Sequence, residues 1–183
     1  KEVKSLKVRN KYQKLFNLCS KLMLQIVEGN KPVIAKVHGA AYAAGCQLVA
    51  SCDLAYSTKD ALFATPGVNI GLFCSTPMVA VSRKINKKPM MKMLLTGEPI
   101  KANFAKEIGL INDCFSKSKL NNEVLKIAKK IASKSNLTIK IGKRTFYKQL
   151  EMPLRKAYAH TSKMMTLNTV SYTHLRAHET PCH

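Results

Sequence analysis

Apolar residues near the start of the chain recur at helical spacing, with Leu15, Leu18, Leu22 and Ile26 separated by polar and basic positions. That pattern predicts an amphipathic helix over roughly Leu6 to Glu28, stopped at Gly29-Asn30 because glycine commonly follows the last turn. The period then changes. Pro32 to Val37 is β-branched and mostly apolar, as in a buried parallel strand, and His38-Gly39 turns the chain. Ala40 to Cys52 is rich in small residues and predicts a helix packed closely on its neighbours. Asp53 to Ser57 and Ala61 to Thr65 predict two short strands joined by the polar turn Thr58-Lys59-Asp60, and Pro66-Gly67 breaks the second. A loop from Gly71 to Ser75 leads into a helix over Pro77 to Arg83, where a first-turn proline sacrifices no hydrogen bond.

Further along, Pro89 to Leu95 predicts a helix, Thr96 to Pro99 a turn, and Lys101 to Ile108 a helix stopped by Gly109. Leu110 to Phe115 predicts a strand. Three helices follow, over about Leu120 to Ser133, Thr138 to Gln149 and Pro153 to Leu167. Strand–helix alternation followed by helices alone indicates an α/β core over residues 1–115 and a helical region over 116–168. Thr169 to His183 holds three of the five histidines, shows no periodic apolar face and reads as an appended, non-native tail.

Composition narrows the class. With 183 residues, 46% of them apolar and 22% charged, the chain can bury a core of its own. No apolar run approaches the ~20 residues that cross a bilayer, so no membrane span is expected. The 31 basic against 10 acidic residues give a net charge of +21, a field that attracts polyanions. The excess is mostly scattered lysine, and the densest cluster, Arg83 to Lys92, is interrupted by Ile85 and Pro89. A solvated surface is therefore the first reading. RNA binding is kept as a second, although arginine forks and aromatic platforms on a continuous basic stripe are missing.

The cysteines Cys19, Cys46, Cys52, Cys74, Cys114 and Cys182 form no Cys-x-x-Cys pair, which removes the usual zinc and redox spacings. Free thiols in a reducing compartment are expected. His174, His178, Cys182 and His183 lie in the tail without the glutamate of a His-Glu-x-x-His motif, so no metal site is expected.

Four blocks carry a family likeness. Lys31-Pro32-Val33-Ile34-Ala35-Lys36-Val37-His38-Gly39 leads into Ala43-Ala44-Gly45-Cys46-Gln47-Leu48. Cys52-Asp53-Leu54-Ala55, Leu95-Thr96-Gly97-Glu98-Pro99-Ile100 and Ala105-Lys106-Glu107-Ile108-Gly109-Leu110-Ile111 follow in order. Together they resemble the enoyl-CoA hydratase/isomerase (crotonase) family. Phe63 to Pro77, Gly142-Lys143 and Thr145 to Gln149 resemble one mitochondrial branch of it.

The resemblance implies an α/β crotonase-like spiral of ββα units and a C-terminal helical region that assembles homotrimers or hexamers. It also implies an acyl-CoA ligand, a place in mitochondrial fatty-acid metabolism, and no cofactor beyond the coenzyme A thioester itself. Family members carry an N-terminal sheet and a first oxyanion donor upstream of Lys1, and a further helix beyond the region of Asn168. The chain is accordingly expected to be truncated at both ends.

A crotonase polarises the thioester carbonyl with two backbone N–H groups aimed where negative charge develops. Carried over residue by residue, the second donor is Ala44, with Ala43, Ala44, Asn69 and Cys74 against the substrate. Hydration also needs an acid and a base, and paired carboxylates serve when their environments hold them in different protonation states. The resemblance places the two glutamates of hydratases at Gln47 and Gly67. An amide does not titrate usefully and glycine has no side chain, so efficient hydration is not expected. Enolate stabilisation alone would still serve thioester hydrolysis or decarboxylation. Cys74 is weighed as a nucleophile and set below an inert thiol, since no histidine is paired with it in the sequence. A non-catalytic place in mixed trimers is the remaining alternative.

Overall fold

Most consecutive strands do not pair with each other. In the computed structural model, which describes residues 2–179 with side-chain surroundings for residues 8–170, the strands are divided between two small sheets. Strands β1 (Ile34–Val37), β3 (Leu54–Thr58) and β6 (Asp113–Phe115) form one sheet in the order β1-β3-β6, all parallel. Strands β2 (Ala40–Tyr42), β4 (Leu62–Ala64) and β5 (Ile100–Lys101) form the other, with β2 parallel to β4 and β5 antiparallel. The registers Ile34↔Leu54 and Ala40↔Leu62 set one ββ pair beside the next. That is the spiral arrangement expected from the resemblance.

One expectation is corrected here. The stretch Ala40 to Cys52 is not one helix: its first three residues are β2, and helix α2 spans only Ala44–Ser51. Alanine favours helix locally, but pairing with β4 overrides that weak preference. The two strands expected on either side of Thr58-Lys59-Asp60 are present and belong to different sheets.

Helix α1 (Glu2–Glu28) precedes β1. After β4 come a 3-10 turn (Pro66–Ile70) and helices α3 (Ser75–Val81) and α4 (Lys87–Thr96). Helix α4 ends at Gly97, whose φ of 65° is the left-handed cap that glycine adopts without strain. Helix α5 (Ala102–Glu107) then leads into β6 through the buried Leu110 and Ile111. Phe63, Cys46, Val81, Ala102 and Ala105 are fully buried at the centre of this core. Asp53 anchors the start of β3: its carboxylate accepts the Val33 N–H at 2.7 Å while its own N–H reaches the Val33 carbonyl at 3.0 Å.

The chain divides into two compact units, residues 1–27 with 33–128, and residues 28–32 with 129–183. Helix α6 (Lys117–Ala132) begins in the first and ends in the second. In the second unit, α7 (Asn136–Gln149) packs on α8 (Leu154–Glu179), and the Thr138 hydroxyl bonds the Asn168 amide oxygen at 3.2 Å. Helix α8 continues well past Leu167, where the periodicity had suggested a stop. Cys182 and His183 lie outside the described residues, as do the side chains of His174 and His178.

Thr65 is completely buried between β4 and the 3-10 turn, and its hydroxyl has no hydrogen-bond partner among the described residues. A buried polar atom without a partner forfeits its hydration for nothing in return. Thr65→Val is therefore expected to raise stability by about 1 kcal/mol, moving the melting temperature up by roughly 3 °C. A thermal melt showing a lower midpoint would contradict this.

Candidate active site at the start of helix α2

The turn from β2 into α2 is made by Ala43, which has φ 47° and ψ −113°. Among the described residues it is the one non-glycine at positive φ, a conformation costing of order 1–3 kcal/mol. Two bonds hold it there. The Ala43 N–H donates to the Ala64 carbonyl at the end of β4 (2.9 Å), and its carbonyl accepts the Gln47 N–H (3.0 Å).

This fixes the direction of the next amide. In a trans peptide the C=O and N–H point in opposite directions. With the Ala43 carbonyl aimed along α2 at Gln47, the Ala44 N–H points out of the helix N-terminus. Ala44 is exposed, and no acidic side chain occupies the first turn of α2. The helix end adds partial positive potential at the same place. The arrangement is an outward-facing, preorganised donor held by strained backbone, suited to stabilising a developing oxyanion.

Gln47 lies one turn on and is buried, with its amide oxygen accepting from the Cys19 thiol of α1 at 3.7 Å. Its contact with Cys19 was not foreseen: Cys19 shares a face of α1 with the buried Met23, whereas Leu15 and Leu22 of the predicted apolar stripe are exposed.

Gly67 is closely hemmed in by its own loop. A Cβ built on it would stand 2.1 Å from the Leu72 carbonyl oxygen and 2.9 Å from the Cys74 sulfur. Its N–H donates to Cys74 Sγ at 3.3 Å, and its carbonyl accepts the Leu72 N–H at 2.9 Å. The loop from Gly67 to Cys74 is thus folded back on the glycine. Cys74 is buried and committed to that closure. Asn69 turns its amide toward Gly97, where an added Cβ would meet it at 2.8 Å. The loop presents Ile70, Leu72 and Phe73 outward instead, with Ile70 80% exposed.

Behind α2, Cys46 is fully buried, and that burial, reinforced by nearby Cys74, pushes its thiol up to about 12. It is a protonated packing residue at neutral pH. A separate cleft of about 90 Å³ is bounded by Asp53, Lys84 and Asn112, away from Ala44 and Gly67. Burial lowers the Lys84 pKa there, while Asp53 acts in the opposite sense. Asp53 and Asn112 both serve backbone amides, those of Val33 and Ala55, which gives the cleft a structural explanation.

No helix among the described residues is long and apolar enough to cross a membrane. The described residues also contain no cluster of three or more His, Cys, Asp or Glu side chains able to hold a metal.

The geometry has counterparts in known proteins. The chain is 48% identical over 168 residues to the mitochondrial enoyl-CoA hydratase domain-containing protein 3 of Homo sapiens, covering 92% of this chain and 55% of that protein. It is 32% identical over 139 residues to the 2,3-dehydroadipyl-CoA hydratase of Escherichia coli, covering 75% of this chain and 54% of that protein. It therefore spans about half the length of the curated relatives it matches.

The crystal structure of human enoyl coenzyme A hydratase domain-containing protein 3 superposes with a TM-score of 0.88 at 45% identity, over 96% of this chain and 72% of that one. An enoyl-CoA hydratase from Mycobacterium smegmatis superposes with a TM-score of 0.86 at 47% identity, over 87% of this chain and 62% of that one. The family model for enoyl-CoA hydratase/isomerase matches residues 1–179. A match over nearly the whole chain, together with the fold, shows that the chain belongs to the enoyl-CoA hydratase/isomerase family.

Proposed function

We propose that this protein binds acyl-CoA thioesters in mitochondrial fatty-acid metabolism and hydrates enoyl-CoA poorly. The observation that carries the reading is the Ala43–Ala44 turn. Its backbone is held at positive φ by the Ala64 carbonyl and leaves the Ala44 N–H directed outward. A strained turn of this kind persists where the surrounding structure enforces it, and a thioester oxygen is the acceptor that such a donor suits.

The poor hydration follows from Gln47 and Gly67. Neither side chain can carry a proton between water and carbon, and general acid–base catalysis typically contributes ~10²–10⁴-fold. What remains is enolate stabilisation, which serves thioester hydrolysis or decarboxylation. The exposed Ile70, Leu72 and Phe73 of the loop after Gly67 offer an apolar surface for an acyl chain. The names of the human, mouse and rat relatives support a mitochondrial location. Assembly as a trimer through the helical region belongs to the same proposal.

Calorimetry with butyryl-CoA on the full-length protein tests binding, with butyrate as the thioester-free control. Crotonyl-CoA turnover, followed beside a two-glutamate hydratase, tests the chemistry. Binding together with turnover reduced at least ~10²-fold is expected. Failure to bind the thioester, or turnover matching the control enzyme, overturns the reading.

A further inference from the structure

The cleft bounded by Asp53, Lys84 and Asn112 holds a reactive group that the α2 site does not use. Asp53 and Asn112 are accounted for by the Val33 and Ala55 amides they hold. Lys84, between α3 and α4, is half-buried and lines the same cleft of about 90 Å³, together with the buried Cys52, Leu110 and Ile111. Its backbone is well held. The Lys84 N–H donates to the Val81 carbonyl at 2.9 Å, and its own carbonyl lies 3.4 Å from where a Cβ on Gly109 would stand.

A lysine attacks a carbonyl carbon only as the neutral amine, and removal from water disfavours the ammonium. At Lys84 burial is the larger influence and lowers the pKa, while Asp53 and Cys52, the titratable groups acting on it, pull the other way. Lys87, Lys88 and Lys92 on the following helix are exposed, so their ammonium ions keep their water. Within a crowded run of cations, one amine is set apart by its surroundings.

We propose that Lys84 is an acyl-acceptor site, taking short acyl groups from coenzyme A thioesters. The neutral Nζ attacks the thioester carbonyl carbon. A C–N bond forms, the C–S bond breaks, and the proton shed by nitrogen goes to the departing sulfur. An amide and free coenzyme A thiol result, with nothing oxidised or reduced. The amide carries no charge, so the burial that opposes the ammonium does not oppose the product. A cleft of about 90 Å³ has room for an acyl group of a few carbons and not for a long chain. The cleft lies away from Ala44 and Gly67, so this inference does not depend on thioester binding there.

The full-length protein is incubated with acetyl-CoA, its remaining amines are capped after unfolding with deuterated acetic anhydride, and peptide mass spectrometry reads the light-to-heavy ratio at each lysine. Lys84 is expected to acquire the light acetyl group at least about fivefold faster than Lys87 and Lys88. In urea sufficient to unfold the chain the three rates are expected to converge. Decanoyl-CoA is expected to lose the preference for Lys84. Lys84→Arg, which keeps the charge and removes the nucleophile, is expected to abolish the fast phase of labelling.

Labelling of Lys84 no faster than of Lys87 and Lys88 in the folded protein overturns the inference. A preference that persists in urea does so too, since sequence and not fold would then cause it. Equal preference with decanoyl-CoA overturns the assignment to short acyl groups. Should Lys84→Arg not fold, the rates on the parent protein decide alone. Failure of butyryl-CoA to bind at the Ala44 turn would leave this result untouched.

Discussion

Gly67→Glu is expected to restore no hydratase activity and to lower the melting temperature by roughly 10 °C. The family resemblance places a hydratase glutamate at this position, so under the proposed function a simple replacement looks like a repair. The backbone says otherwise. Any Cβ at residue 67 meets the Leu72 carbonyl oxygen at 2.1 Å, and backbone cannot swing aside as a flexible side chain would. Relief requires opening the loop, which breaks the Leu72 N–H bond to the Gly67 carbonyl and the Gly67 N–H bond to Cys74. Crowding of a packed region costs about 1–3 kcal/mol and sometimes more, and backbone overlap belongs at the upper end.

Gly67→Ala isolates the steric part and should carry most of the loss. The double variant Gln47→Glu, Gly67→Glu should remain inactive for the same reason. An unchanged melting temperature in Gly67→Ala, or crotonyl-CoA turnover in the double variant, would show that the loop accepts a side chain.

Alkaline solution is expected to destabilise the protein steeply, through Cys46. Its thiol rises from an ordinary value near 9.0 to about 12, chiefly from burial and secondarily from Cys74. Below pH 9 the thiol is protonated in folded and unfolded chains alike, and the contribution is fully present. Between 9 and 12 only the unfolded chain ionises, so proton release pulls the equilibrium toward unfolding. Each pH step in that window removes about 1.4 kcal/mol, or about 4 kcal/mol across it. Urea midpoints measured from pH 8 to 11 should fall faster in the parent than in Cys46→Ala. Parallel slopes would assign the loss to other groups.

The parts of this fold that could be read in the sequence are those with a strong period. Helix α1 itself, the β-branched run of β1 and the glycine stops at Gly29 after α1 and Gly109 after α5 follow from local chemistry, although Leu15, Leu18 and Leu22 of the predicted stripe are exposed. Ala40 to Tyr42 did not, because alanine carries no strand signal and only the partner β4, some twenty residues on, makes a strand of it. The separation of β3 from β4 into different sheets is a property of topology, and a polar turn between two apolar runs suits either outcome.

The site divides in the same way. Ala44, Gln47 and Gly67 were singled out from the ordered blocks around them. The reason Gly67 must be glycine was not, since the obstructing atom is a carbonyl of Leu72. The Cys19 contact with Gln47 joins residues 28 positions apart and leaves no trace in the predicted stripe of α1.

The interleaving of the two sheets also has a consequence for how the molecule is made. Strand β6 joins β3 across a long stretch of chain: the Asn112 side chain bonds the Ala55 amide 57 positions away, and Lys36 reaches Asn121 across 85. Loop closure on this scale must be completed before the contacts reward it, which slows folding relative to a bundle of local helices. A nascent chain that has emerged only as far as β4 has one edge of β3 still bare. It depends on the rest of the core leaving the ribosome before that edge finds another chain.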